Sequence, residues 1–221
     1  MARRWLAAAP GVVGGWGRRL GLLPHRPERW TTEQWTAAYG AGQLRYYAEL
    51  EELARYSVII GYIAWAAGAN PGRPPTLLDV GCGTGLLRER LEGVAFSSYV
   101  GIDLSDTAIE RAASVGHDRS RFVVGDATAL DLGRFDVVVL NEVLYYAPDP
   151  GALLRRVEGA LAPGGVLIVS MWRHPGDRSL WREVDRALPT LDRVHLRNPS
   201  NRINPRGWWV SAHRAPDATT G

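Results

Sequence analysis

Lysine is absent from the 221 residues: all 26 basic positions are arginine, and with 23 acids the formal charge is only +3. So small an imbalance provides little field to steer a polyanion. No basic run is interleaved with aromatics as a single-strand groove requires, so no nucleic-acid partner is expected. Cysteine occurs once, at Cys82, which excludes an intramolecular disulfide and fits a reducing, cytoplasmic location. No apolar run reaches the ~18–20 residues of a membrane span. Met1 to Leu23 carries early arginines and a short apolar patch, but Pro10, several glycines and Arg18–Arg19 interrupt it, which suits a secretory signal poorly.

What is present is enough apolar content, 46%, for one α/β domain with a full core. Residues 1–29, rich in glycine, proline and arginine, read as a leader or tail. Residues 30–72 read as a helical segment: Thr31 or Thr32 caps a helix carrying Glu33, Trp35, Ala38 and Tyr39. After Gly40 and Gly42, an amphipathic stretch through Leu44, Tyr47, Leu50, Leu53 and Val58 runs to about Trp65. Ala69 to Pro75 is a break, and residues 73–221 form the α/β domain.

That domain is organised around Leu77 to Leu87, LLDVGCGTGLL, in which an apolar run meets Gly81, Gly83 and Gly85 and resumes at helical spacing. The pattern predicts a buried strand feeding a helix through a tight loop. Glycine permits φ > 0 and lets a ligand lie against the peptide groups, and the unpaired N–H groups opening the helix favour an anion. A dinucleotide fingerprint, G-x-G-x-x-G, would place its third glycine where Leu86 stands. Cys82, between two of the glycines, has no histidine near it in sequence and reads as a small loop residue rather than a nucleophile.

The string D-V-G-C-G-T-G resembles motif I of the class I S-adenosylmethionine-dependent methyltransferases. The resemblance implies a Rossmann-like seven-stranded sheet in the order 3-2-1-4-5-7-6, with an antiparallel last strand and helices on both faces. It implies that this loop, through Asp79, Gly81, Cys82, Gly83 and Gly85, holds the methionine end of S-adenosyl-L-methionine. Asp103, ending a second strand (YVGIDL) 18 residues after Gly85, is placed with Leu104 to accept hydrogen bonds from ribose hydroxyls. A capping acid beside Ser105 is the alternative. In such methyltransferases the acid after the third strand contacts the adenine amine and the next backbone N–H a ring nitrogen; Asp126 and Ala127 hold those positions here. The resemblance spans about Thr76 to Arg214 and makes residues 30–72 a lid, where Tyr39, Tyr46 and Tyr47 either pack on the sheet or line the pocket.

Phe135 to Leu140 (FDVVVL) reads as the central strand. Ligands in open parallel sheets bind beyond the carboxyl ends of the strands, so Asn141 is expected near the methionyl group and Tyr145 or Tyr146 near the transferable methyl. E-V-L-Y-Y is similar to a string in the rhizobial nodulation N-methyltransferases, which modify an amino-sugar nitrogen. At the end of the fifth strand stand Trp172, a candidate for substrate contact, and His174. His174, Glu142 and the two tyrosines are the candidate catalytic groups on this edge: His174 is the preferred general base, set against a surface histidine, and Glu142 would instead orient an amine or a sugar hydroxyl, set against a helix-terminal acid. Clustered acids for a metal are lacking, so no metal is expected.

These features predict a methyl transfer to nitrogen or oxygen of a small molecule, with a sugar or an amine as candidate acceptor, by a monomer or homodimer. Two alternatives remain: a cyclase or isomerase using the same fold, and a non-catalytic ligand binder. Methylation of an extruded base is disfavoured, because N-E-V-L-Y stands where N-P-P-Y would be expected.

Overall fold

The computed structural model describes residues 30–69, 72–115, 118–173, 178–198 and 206–217. His174 and the 1–29 leader lie outside the described residues. Five strands, β1 (Thr76–Val80), β2 (Ser98–Asp103), β3 (Ser120–Val124), β4 (Phe135–Asn141) and β5 (Leu161–Trp172), pair in parallel. With β6 (Thr190–Asn198) and β7 (Arg206–Arg214) they form one sheet in the order β3-β2-β1-β4-β5-β7-β6. β7 is antiparallel to both of its neighbours. This is the expected fold.

The central strands are apolar throughout because both of their faces are covered. On one face Leu78, Val138, Leu140 and Leu167 pack with Leu153, Leu154 and Val157 of α5 (Pro150–Ala160) and Val184 of α6 (Arg178–Ala187). On the other, Leu77, Val137, Val139 and Ile168 pack with Leu87 of α3 (Leu86–Arg90) and with Tyr56, Ile59 and Ile63 of α2 (Leu50–Gly68). β5 opens with Leu161 paired to Phe135, ahead of an irregularity that resets the register at Val137 and Val166.

Two helices precede the sheet and differ in what they bury. α1 (Thr32–Gly40) opens on a capping box, in which Thr31 Oγ1 accepts from Gln34 N and Gln34 Oε1 from Thr31 N. Its one buried residue is Ala38. α2 lies across β5, β6 and β7 and buries Glu52, Arg55, Tyr56, Ile59 and Ile63. It starts only at Leu50, after a 3-10 turn over Arg45–Ala48. Its buried face is not the leucine stripe expected from the sequence: Leu50 is 81% and Leu53 41% exposed, and the Glu52–Arg55 pair takes the inner positions. α4 (Asp106–Ser114), capped by Ser105, completes the set.

Candidate functional site

A cavity of about 990 Å³ opens at the carboxyl ends of β1 to β4 and is roofed by α1. That is the upper end of the range of small-molecule pockets, large enough for a nucleoside cofactor and a second ligand. Its first wall grows from the glycine turn. Gly81 (φ 72°) and Gly83 (φ 55°) adopt left-handed conformations. A Cβ at Gly81 would meet Val143 Cγ2 at 2.2 Å. The turn is fastened to β2: Gly81 N and Cys82 N donate to Ile102 O, and Gly83 N donates to Asp103 Oδ2 at 2.9 Å. Ser105 N donates to the other oxygen, Oδ1. Each oxygen of Asp103 keeps a lone pair for a further donor, the capacity that a ribose diol uses. Burial raises the Asp103 carboxyl above its ordinary pKa, against the lowering by the Ser105, Gly83 and Leu104 amides. α3 has only five residues, so the helix terminus adds less here than the loop amides.

Asp79 lies beneath the turn. Tyr99 donates its hydroxyl to Asp79 Oδ2 at 2.6 Å, while Oδ1 is buried without a partner. Burial, reinforced by the Asp103 charge and opposed by Tyr99, pushes the Asp79 carboxyl up to about 7. An orphaned carboxylate oxygen on a cavity wall is matched by a cationic donor such as an α-ammonium.

The facing wall comes from β4 and α2. The fully buried Arg55 donates Nη2 to Glu52 Oε2 at 2.9 Å and Nη1 to Asn141 Oδ1. Its Nε has no partner. With the carbonyl of Asn141 engaged, the amide's NH2 is the edge left to donate. Burial opposes the Arg55 charge, but Glu142, Tyr56 and Glu52 outweigh it and its pKa rises. Two buried carboxylates thus surround one guanidinium.

Glu142 stands at the tip of β4 with φ 62°, a backbone state uncommon outside glycine and often found at functional sites. Its carboxylate accepts from Ser170 Oγ at 3.1 Å, from Trp172 N at 3.2 Å and from the Tyr145 hydroxyl. Burial pushes it up to about 7, against the lowering by Arg55 and by Tyr145. Rings complete the wall: Trp35 stands edge-on to Tyr146 at 4.8 Å, with Trp30 and Tyr47 also lining the cavity.

Of the residues singled out from sequence, Asp79, Gly81, Cys82, Gly83, Asp103, Leu104, Asp126, Ala127, Asn141, Glu142, Tyr39, Tyr47 and Tyr146 line this cavity. Asp126 holds its own turn, with Oδ1 accepting from Thr128 N and Oγ1 at 2.8 Å. Gly85 faces Ala112 and Phe122 instead. Tyr145 turns to Glu142, Tyr46 lies on Tyr47 with ring centroids 4.4 Å apart, and Trp172 packs against Trp208. Arg55 and Arg111 also line the cavity and carried no role in the sequence reading. Tracing the buried stripe back from Ile63 and Ile59 reaches Arg55 and Glu52, the signal that would have found the pair. Among the described residues, no group of three histidines, cysteines or acids could hold a metal, and no helix is long and apolar enough to cross a membrane.

A parallel sheet with a glycine turn after its first strand and acids at successive strand tips defines a nucleoside-binding protein of Rossmann-like architecture. The model of a family described as a methyltransferase domain matches residues 50–213, and the chain belongs to that family. It is 38% identical over 109 residues to a ubiquinone biosynthesis O-methyltransferase of Caulobacter sp. (strain K31), covering 47% of this chain and 43% of that one. The chain spans about half the length of the curated relatives it matches. Among solved structures it resembles the N-methyltransferase NodS from Bradyrhizobium japonicum WM9 in complex with S-adenosyl-L-homocysteine, with TM-score 0.63, 21% identity and coverage of 79% and 92%. It also resembles the 1,6-didemethyltoxoflavin-N1-methyltransferase of Burkholderia thailandensis with bound 1,6-didemethyltoxoflavin and S-adenosylhomocysteine, with TM-score 0.63, 22% identity and coverage of 84% and 87%.

Proposed function

We propose that the chain is an S-adenosylmethionine-dependent methyltransferase acting on nitrogen or oxygen of a small molecule. The observation that carries this reading is the pairing of the Asp103-anchored glycine turn with the unpartnered, buried Asp79 Oδ1 in one cavity. Family membership supports it. Asp103 suits the ribose diol, the Asp126–Ala127 turn the adenine, Asp79 Oδ1 the α-ammonium, and the Arg55–Asn141 corner the carboxylate. Bound there, the cofactor would supply a methyl group on a positively charged sulfur, open to in-line displacement.

The chain's own contribution is then to hold the acceptor and exclude water. Trp35, Tyr47 and Tyr146 give the acceptor flat, apolar walls. Glu142 is the base the cavity offers: with a pKa of about 7 it takes a proton from a hydroxyl or an ammonium near neutral pH. Tyr145 and Ser170 hold it in place. Both an amine or sugar and a phenolic ring fit a wall of this chemistry, and the names of the relatives include O- and N-methyltransferases.

Isothermal titration with S-adenosylhomocysteine and with NAD tests the cofactor assignment. We expect micromolar binding of the first and none of the second; the reverse result overturns the reading. Methyl-labelled cofactor offered with separate pools of phenols, amines and amino sugars identifies the acceptor class.

A further inference from the structure

The roof of the cavity is fastened differently on its two sides. α1 buries a single residue, Ala38, so core packing does little to hold it down. On the β4 side Trp35 meets the Tyr146 ring, and on the cofactor side the ties are polar and come from α4 and its cap. Arg111 donates Nη1 to Tyr39 O at 2.7 Å and Nη2 to Gly40 O at 3.4 Å. Thr36 Oγ1 lies 3.2 Å from both Ser105 Oγ and Asp106 Oδ1. The guanidinium therefore sits on the carbonyl end of α1, where a cation is also favoured by the helix dipole. Just beyond, Gly42 (φ 69°) turns the chain away, a position where the backbone can pivot.

This fastening sets one side chain over the glycine turn. A Cβ on Gly83 would lie 2.7 Å from the Tyr39 hydroxyl, so Tyr39 occupies the space that glycine leaves open. Burial and then the Asp103 charge push the Tyr39 phenol well up, so it remains a hydrogen-bond donor at any physiological pH. Ser105, which meets Thr36, is the residue whose N–H holds Asp103 Oδ1. The roof is thus fixed to the same loop that would grip the ribose.

We infer that Arg111 is a positioning residue: it clamps the Tyr39 end of α1 over the Gly81–Gly83 turn, and so controls how fast a nucleoside ligand bound beneath it can leave. The inference rests on the cofactor assignment above. It makes α1 a retaining gate on the cofactor side of the cavity, whose release requires breaking the Arg111 contacts and not unfolding of the core.

The test uses the full chain with S-adenosylhomocysteine, measured by stopped-flow binding and by hydrogen exchange of residues 32–40. In Arg111→Ala the dissociation rate is expected to rise roughly 10-fold or more, as loss of charge-assisted hydrogen bonds dictates, with the association rate unchanged or faster. Exchange across 32–40 should quicken in the ligand-free variant as well, and Arg111→Lys should restore part of the slow dissociation. A merely structural role would instead lower the association rate and the melting temperature together. Unchanged dissociation and unchanged exchange in a folded Arg111→Ala protein overturn the inference and leave the cofactor assignment intact. Absence of S-adenosylhomocysteine binding by the unmodified chain overturns both. If Arg111→Ala is insoluble, Arg111→Gln, which also removes the charged fork, decides between the same outcomes.

Discussion

On the wall built by β1 to β3, the groups facing the cavity are backbone amides and acids at consecutive strand tips, held by amide-to-carboxylate contacts between neighbouring segments, such as Gly83 N to Asp103 and Ser105 N to Asp103. On the wall built by β4, α1 and α2, they are side chains brought together from far apart: Arg55 meets Asn141 across 86 residues of sequence, and Trp35 meets Tyr146. The first wall can receive a ligand without rearrangement, because its donors belong to the backbone. The second depends on buried charges that must neutralise one another. Binding of the nucleoside part of the cofactor and shaping of the acceptor site therefore rest on different walls, which meet at the Arg55–Asn141 corner proposed for the cofactor's carboxylate, and mutations away from that corner should divide along that line.

The largest expected effect falls on the second wall. Arg55→Met leaves Glu52 and Glu142 without their shared cation, and breaking a buried ion pair by removing one partner costs about 3–5 kcal/mol. Urea denaturation should show that loss, with much of it recovered in Glu52→Gln/Arg55→Met, where one of the stranded charges is also gone. A loss below ~1 kcal/mol would mean the second wall is held by packing, and the contrast would disappear. The next effect falls on the first wall. Asp103→Asn keeps the size of the side chain but removes its charge and one acceptor, so S-adenosylhomocysteine should bind roughly 10–100-fold more weakly, given ~1.5–3 kcal/mol for a charged hydrogen bond. Calorimetric titration measures it. The new NH2 faces one of the two backbone amides that Asp103 accepts from, so stability should also fall, by about 1–3 kcal/mol, which is less than in Arg55→Met.

The same contrast governs what the sequence discloses. Asp79, Gly81, Gly83, Asp103 and Asp126 were legible as lining of the cavity because a parallel sheet brings the carboxyl ends of its strands to one edge, so order along the chain becomes position there, while Gly85 packs on Ala112 and Phe122. Strand order and the antiparallel β7 followed from the same resemblance. Arg55 was not legible. Its helix shows leucines at positions 50 and 53 and charges at 52 and 55, and local hydrophobicity favours burying the leucines; the packing of Tyr56, Ile59 and Ile63 on the sheet sets the buried face instead and carries Glu52 and Arg55 inward. Tyr145 follows the carboxyl end of β4 and Trp172 closes β5, yet neither lines the cavity, and periodicity at a strand tip does not tell which of two adjacent tyrosines faces it. Tyr146 does, while Tyr145 turns to Glu142.

The smallest expected effect concerns protons on the first wall. Burial holds the ligand-free Asp79 carboxyl at about 7, above its unfolded value, so it is largely protonated at pH 6 and largely ionised at pH 8. A raised carboxyl contributes stability that is fully present below its unfolded pKa and is lost as pH rises through the folded one. The ligand-free protein should accordingly lose stability from this group as pH climbs from about 4 through 7. An α-ammonium beside Oδ1 favours the ionised form, so binding expels the proton where the free carboxyl still holds it. Affinity for S-adenosylhomocysteine should therefore rise with pH between 6 and 8, by roughly tenfold for one proton released across that window. Glu142 titrates in the same range on the opposite wall, so the comparison must be made with Asp79→Asn, which cannot ionise. If the pH dependence of binding persists unchanged in Asp79→Asn, the proton comes from elsewhere, and coupling between the two walls is stronger than their separate construction implies.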